Sequence, residues 1–285
     1  MTLQRVLTAA VLIPVVVALV LLAPLPWVAI AFGLVIVLAL LEYFSLGERI
    51  GHRGYRVWTC ACALALVFVQ FLTTRAETFP LAGGLLLERY SSAASLTLFP
   101  FLFFVFVIGA AVIVLATRRS LAETLPALGI SASGLLFVAL PLSFGVPLEG
   151  MARVGPKLLL FALVLVWAGD TAAYFVGRSI GRWKMAPNLS PNKTWEGAAA
   201  NLLASLAVGV FFARWTGIGL RSLLPGAALA NVAGQLGDLA ESAYKRSAGA
   251  KDSGGLLPGH GGMLDRVDAL VFAVPVVWYY FKLVL

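Results

Sequence analysis

Residues 7–46 read LTAAVLIPVVVALVLLA, then PLP, then WVAIAFGLVIVLALLEYFSL: two apolar runs, 7–23 and 27–46, parted only by Pro24-Leu25-Pro26. A hydrocarbon layer about 30 Å thick takes about 20 apolar residues as a helix. Each run is close to that length, and the break between them has room only for a tight turn, so the pair reads as a membrane helical hairpin. The first run, with Arg5 ahead of it, also has the look of a secretory signal. At 17 residues it is longer than the usual apolar part of such a signal, and a second span follows at once, so it is expected to stay as the first helix.

The rest of the chain agrees. Of its 285 residues, 61% are hydrophobic and 12% charged, against about 25% charged in an ordinary soluble domain; mean hydropathy is +0.95. A water-soluble fold of this size could not hide so much apolar side chain. Further runs lie at 58–74, 95–117, 125–144, 158–177, 197–217, 223–243 and 266–285. The expectation is an all-α polytopic membrane protein of about nine transmembrane helices. The run 125–144 is the least regular, with Pro126 and Pro141 crowding its ends and Gly129 and Gly134 lowering its helix propensity. The break 75–94, containing Leu81-Ala82-Gly83-Gly84-Leu85-Leu86-Leu87, reads as an interfacial or re-entrant piece. Trp27 and Trp58 fall near span ends, where indole rings anchor at the interface.

No internal repeat and no polar segment long enough for a soluble domain is present. The chain therefore reads as one integral membrane unit, with residues 1–157 a scaffold of about five spans and 158–285 the region carrying the chemistry. Cys60 and Cys62, two apart on a helix, cannot face each other, which excludes a disulfide framework and a Cys-based zinc site.

Lys and Arg number 21 against 13 Asp and Glu, a formal +8. On a soluble protein that excess would suggest nucleic acid; here it first suggests positive cytoplasmic loops, and no nucleic-acid partner is expected. With nine spans, Arg5 and the loops after spans two, four, six and eight hold 14 of the 21 basic residues. Positive-inside logic puts that side in the cytoplasm, with the N-terminus inside and the C-terminus outside.

The chemistry gathers beyond residue 165. Four of five aspartates, Asp170, Asp238, Asp265 and Asp268, lie in or at spans, and the fifth, Asp252, in a loop between them. Carboxylates in a membrane are costly and are presumed functional or paired. At 1.5 Å per residue, Asp170 lies about 12 Å before Arg178 and Asp238 about 10 Å before Lys245, while Asp265 and Asp268 share a helix face at the start of span nine. Three helices thus bring carboxylates towards one level. Without His or Cys partners such a set suits a hard cation, Mg²⁺ rather than zinc; the plainer alternative is that each Asp pairs with a neighbouring Lys or Arg.

Two loops supply the opposite charge. The first, 177–197, alternates Arg178, Arg182, Lys184 and Lys193 with Gly, Ser, Thr, Pro and Asn. Cations with hydroxyl and backbone donors suit a polyphosphate, and Thr194 is placed to cap span seven. The second, 242–268, carries Lys245, Arg246 and Lys251. It also has Gly254-Gly255 and Gly259-His260-Gly261-Gly262, where the backbone can approach a ligand closely. Together they suit metal-assisted phosphoryl or nucleotidyl transfer.

This second loop closely resembles the phosphatidate cytidylyltransferase (CDP-diacylglycerol synthase) family signature. Its fixed positions are Ser242, Lys245, Arg246, Lys251, Asp252, Pro258, His260, Gly261, Gly262, Asp265, Arg266 and Asp268. Gly237-Asp238-Leu239, Ser190 to Gly197 and Asp170 to Tyr174 are similar to further family blocks, while residues 1–150 share only a hydrophobic pattern. The resemblance implies that CTP and phosphatidic acid give CDP-diacylglycerol and pyrophosphate, on the cytoplasmic face of a bacterial inner membrane, in a homodimer. It implies Mg²⁺ held by Asp238, Asp265 and Asp268, with a second, monovalent cation such as K⁺ beside it. Lys245, Arg246, Lys251, Asp252 and Arg266 would act on the phosphates. Ser190, Lys193, Thr194, Ser242, His260, Gly261 and Gly262 would bind substrate, and Asp170 would support the site.

Two other classes compete. A transporter would also keep intramembrane carboxylates and helix breakers, but with midplane charges and a repeat. A cytidylyltransferase acting on another lipid phosphate would share every feature above. A CDP-alcohol phosphotransferase would need an Asp-Gly-x-x-Ala-Arg block, which is absent.

Overall fold

The computed structural model describes residues 2–78, 84–117, 120–256 and 261–285, with side chains over 10–75, 97–117, 120–256 and 261–285. Helices α1 (Thr2–Leu22) and α2 (Leu25–Arg49) form the expected hairpin. Pro24 caps α2 in an extended conformation and Pro26 sits in its first turn, where a missing amide costs no hydrogen bond. Helices α3 (Arg56–Thr78) and α4 (Gly84–Ala116) follow. Gly84 to Leu87 belong to the first turn of α4, so that part of the proposed re-entrant piece is ordinary helix, while 81–83 lie outside the described residues.

The irregular run is a span made of pieces. A 3₁₀ turn at Leu121–Glu123 leads into α5 (Thr124–Gly134), a π-turn at Leu135–Ala139, α6 (Leu140–Ser143) and α7 (Gly145–Glu149). Pro141 lies in the first turn of α6, where it has no N–H to donate a helical bond, and the π-turn ahead of it absorbs the mismatch. The C-terminal part holds α8 (Gly155–Ile180), β1 (Lys184–Ala186), β2 (Ser190–Thr194), α9 (Trp195–Thr216), α10 (Leu220–Ser247), α11 (Leu264–Val267) and α12 (Leu270–Val284). The all-α expectation omitted β1 and β2, an antiparallel ribbon pairing Lys184 with Thr194 and Ala186 with Ser190 between α8 and α9.

Among the described residues, seven stretches are long and apolar enough to cross a membrane: Leu25–Arg49, Arg56–Arg75, Thr97–Ala116, Leu121–Glu149, Gly155–Ile180, Trp195–Thr216 and Leu264–Val284. Of the two other sequence runs, the first holds a shorter apolar helix, Ala10–Leu22. The other lies within α10, whose 28 residues suffice to span but carry Asn231, Gln235, Asp238 and Glu241.

The core runs through the bundle from Phe44 to Phe161, Phe212 and Phe281, all fully buried. In lipid such packing is held by close fit rather than by exclusion of water, so small residues matter where helices meet. Gly177 and Gly197 bring α8 and α9 together: a side-chain carbon on Gly197 would lie 3.5 Å from the Gly177 Cα and 3.1 Å from the Ala173 carbonyl oxygen. Trp27 is exposed, as an interfacial anchor would be. Trp58 is turned inward instead: its indole nitrogen donates to the Phe106 carbonyl (3.0 Å), over the surface that Gly109 leaves open.

Candidate functional site

The β1–β2 ribbon is closed by α9. Thr194 is the N-cap of α9 and accepts from the Gly197 amide (3.1 Å), while Glu196 accepts from the Arg182 amide (2.9 Å) and the Trp183 amide (3.2 Å). Capping therefore engages the Thr194 hydroxyl, which the sequence reading gave to substrate. The ribbon holds Lys193 against α10, its Nζ 2.7 Å from Asp238 Oδ2.

Between ribbon, α8, α9 and α10 lies a cavity of about 240 Å³, lined by Asp170, Asn192, Lys193, Thr194, Gln235 and Asp238 among others. Asp170 opens into it and is joined to a line of side-chain amides. Gln235 Nε2 donates to Asn231 Oδ1 (2.7 Å), Asn231 Nδ2 donates to Asn201 Oδ1 and to Ser205 Oγ (2.7 Å), and Asn201 Nδ2 donates to Asp170 Oδ1 (3.3 Å). Every amide dipole in this chain points its positive end towards Asp170, so the chain stabilises a carboxylate there. Asn231→Ala would strand the Asn201 acceptor and leave Gln235 only its bond to the Ala198 carbonyl. It is expected to cost about 1–3 kcal/mol, read as a lower unfolding temperature of the purified protein.

A second group packs behind the first. Lys245 Nζ lies 2.6 Å from Glu241 Oε2 and 2.7 Å from Asp265 Oδ1. Asp265 also accepts from the Ser253 amide (3.0 Å), the Ser253 hydroxyl (2.9 Å) and the Gly262 amide (2.8 Å). Both Asp265 oxygens are thus engaged in holding Lys245 and the loop, and direct ligation of a metal would require several of these bonds to open. Asp268 bridges the two groups: Asp238, Glu241 and Asp170 all act on its charge, and the Ala269 amide donates to its Oδ1 (2.7 Å). Gly237 makes this approach possible, since a side-chain carbon there would lie 2.6 Å from the Asp268 carbonyl oxygen.

The plainer reading of the aspartates therefore holds for two of them, Asp238 and Asp265, which pair with lysines. Arg266 is exposed and acts on Asp170 only at range. Arg246 ties the loops together, donating to the Leu189 carbonyl (3.0 Å) and the Ala250 carbonyl (2.9 Å). Lys251 and Asp252 are exposed, Ser242 is buried in α10, and Ser190 and Gly261 lie on ribbon and loop. His260 lies outside the described residues.

Two carboxylates were missed by reasoning from sequence. Glu241 is fully buried, and among the described residues neither of its oxygens accepts a hydrogen bond in good geometry. Glu42, on α2, accepts from the Met263 amide (2.9 Å) and the Leu264 amide (2.8 Å), and its Oε2 lies 2.9 Å from Ser253 Oγ. The missed signal was available: each is an acidic residue inside an apolar run.

Among the described residues no three His, Cys, Asp or Glu side chains form a ready metal cage, because lysines hold Asp238 and Asp265. The donor set nonetheless fits a hard cation: it is all oxygen, it includes the buried Glu241, whose Oε1 has no hydrogen-bond partner among the described residues, and Asp268 has the carboxylates of Asp238, Glu241 and Asp170 as neighbours.

The family model described as "Cytidylyltransferase family" matches residues 3–284. The chain is 38% identical over 247 residues to a phosphatidate cytidylyltransferase of Brucella suis biovar 1 (strain 1330), covering 81% of this chain and 85% of that one. Over 138 residues it is 44% identical to a phosphatidate cytidylyltransferase of Haemophilus influenzae, covering 46% and 48% of the two chains. Over 146 residues it is 37% identical to one of Bacillus subtilis, covering 50% and 54%.

Proposed function

The chain belongs to the cytidylyltransferase family, and we infer from this membership and from the site that it condenses CTP with phosphatidic acid. A phosphatidate oxygen attacks the α-phosphorus of CTP, the bond from that phosphorus to the bridging oxygen breaks, and pyrophosphate leaves with CDP-diacylglycerol as the other product. The attacking phosphate monoester is largely ionised near pH 7, so no strong general base is needed. The difficulty is bringing two anions together, and fixed cations meet it.

The observation that carries this reading is the pairing of Lys193 with Asp238 at the wall of a cavity of about 240 Å³, with Lys245 held between Glu241 and Asp265 farther along α10. Lys193, held at the cavity wall by Asp238, is placed to take a phosphate. Lys245 is fixed by two carboxylates, which leaves its ammonium oriented before substrate arrives. Arg246 keeps the ribbon and the signature loop in register, and Lys251 and Arg266 offer exposed positive charge to an incoming nucleotide. Asp238 and Asp268, with Glu241 next to them, would hold Mg²⁺, which when bound supplies charge neutralisation on the CTP phosphates. A monovalent ion such as K⁺ fits the remaining negative charge. Asp265 then serves the ion site indirectly, as the anchor of Lys245.

The same reading puts the site on the cytoplasmic side of a bacterial inner membrane, in a nine-span homodimer with its N-terminus inside. Loop charge supports that orientation, and CTP is a soluble nucleotide. Family membership displaces the transporter reading.

Purified protein in detergent or nanodiscs is expected to convert phosphatidic acid to CDP-diacylglycerol with CTP, and to lose that turnover when Mg²⁺ is chelated. Turnover that survives chelation would remove the metal from the proposal. Faster turnover of a different lipid phosphate, assayed side by side, would transfer the activity to that substrate.

A further inference from the structure

Glu42 lies in the N-terminal half, which resembles a plain scaffold in sequence, yet its carboxylate reaches across the fold to both ends of the described signature loop. Oε1 accepts from the Met263 amide (2.9 Å); Oε2 accepts from the Leu264 amide (2.8 Å) and lies 2.9 Å from Ser253 Oγ. The same Ser253 oxygen stands 2.9 Å from Asp265 Oδ2, so one hydroxyl, with a single proton to donate, stands between Glu42 and the carboxylate that holds Lys245. The loop is shaped to accept this side chain. A side-chain carbon on Gly262 would lie 2.2 Å from Glu42 Oε2, and one on Gly254 would lie 2.6 Å from Oε1. A buried carboxylate is costly unless its bonds are well made, and these bonds are charge-assisted and directed at two amides at the start of α11.

Resting on the activity inferred above, we propose that Glu42 is a positioning residue for the reaction: it latches the signature loop to α2, and through Ser253 it fixes the Asp265–Lys245 pair, two turns along α10 from the cavity-lining Asp238. Glu42→Gln keeps the size of the side chain but replaces one acceptor with a donor facing amide hydrogens. The latch is then mispaired while the fold of the helices is left intact.

The test combines turnover with hydrogen–deuterium exchange on the full chain in nanodiscs. Glu42→Gln is expected to lower kcat by about 10- to 100-fold, the range a misplacement of about 1 Å produces, with little change in KM for phosphatidic acid. Exchange should quicken in peptides covering Ser253 and Gly262–Val267 and stay as in the wild type elsewhere. Ser253→Ala should lower kcat in the wild-type background and add little in the Glu42→Gln background, since both act through one contact. An unchanged kcat, or a loss accompanied by faster exchange throughout the chain, or independent effects of the two substitutions, would overturn the proposal. If the wild-type chain itself shows no turnover, the functional reading is what has failed. The exchange pattern then decides the latch: faster local exchange upholds it, unchanged exchange overturns it.

Discussion

Asp268→Asn is expected to lower turnover by about 100- to 1,000-fold, the scale of losing one preorganised electrostatic group at a reacting centre, without lowering the unfolding temperature. Activity and stability part here for a definite reason. Asp268 has the carboxylates of Asp238, Glu241 and Asp170 as neighbours of like charge. Asparagine keeps the oxygen that accepts from the Ala269 amide and removes one negative charge from the cluster. The fold should be unchanged or more stable, while a cation loses a ligand and the CTP phosphates lose their neutralising partner. The measurement is kcat beside thermal unfolding of the same preparation. Near-normal turnover in a folded Asp268→Asn protein would strike this residue from the ion-holding set. A large fall in stability would show that the carboxylate is structural.

The opposite pattern is expected at Lys245. Its ammonium is the shared cation of Glu241 and Asp265, with side-chain exposures of 12%, 0% and 7% for the three residues. Removing one partner of a buried ion pair leaves an uncompensated charge, at a cost of about 3–5 kcal/mol. Lys245→Met preserves most of the length and apolar stem, so this loss would come from charge rather than from a hole. We expect the unfolding temperature to fall and activity to be lost together. Adding Asp265→Asn to Lys245→Met should recover part of the stability and none of the activity, because it removes the stranded charge without restoring the cation. If Lys245→Met unfolds like the wild type, the buried pair is not what holds the loop.

Helix and strand content were legible to unequal degrees. The Pro24-Leu25-Pro26 turn, seven of the nine apolar runs and the Thr194 cap are local features, encoded by residues within a few positions of one another, and they reappear where the sequence puts them. The β1–β2 ribbon was not legible, because Lys184 to Thr194 mixes Lys, Asn, Ser and two prolines with Met185, Ala186 and Leu189 and has no sustained apolar alternation to announce a strand. The inward turn of Trp58 was equally hidden: it depends on the space left by Gly109, far along the chain.

The candidate site divides in the same way. Sequence alone determined a helical membrane protein, the two polar loops and the family signature, because composition and short-range spacing carry those. It could not say which carboxylate meets which cation. Tertiary packing decided that Lys193 holds Asp238, that Lys245 is shared by Glu241 and Asp265, and that Glu42 grips a loop more than 200 residues away. The physical reason is range. A helix fixes neighbours three and four residues apart, whereas a buried charge is tolerated only where packing brings a partner to about 3 Å, and that partner can come from anywhere in the chain.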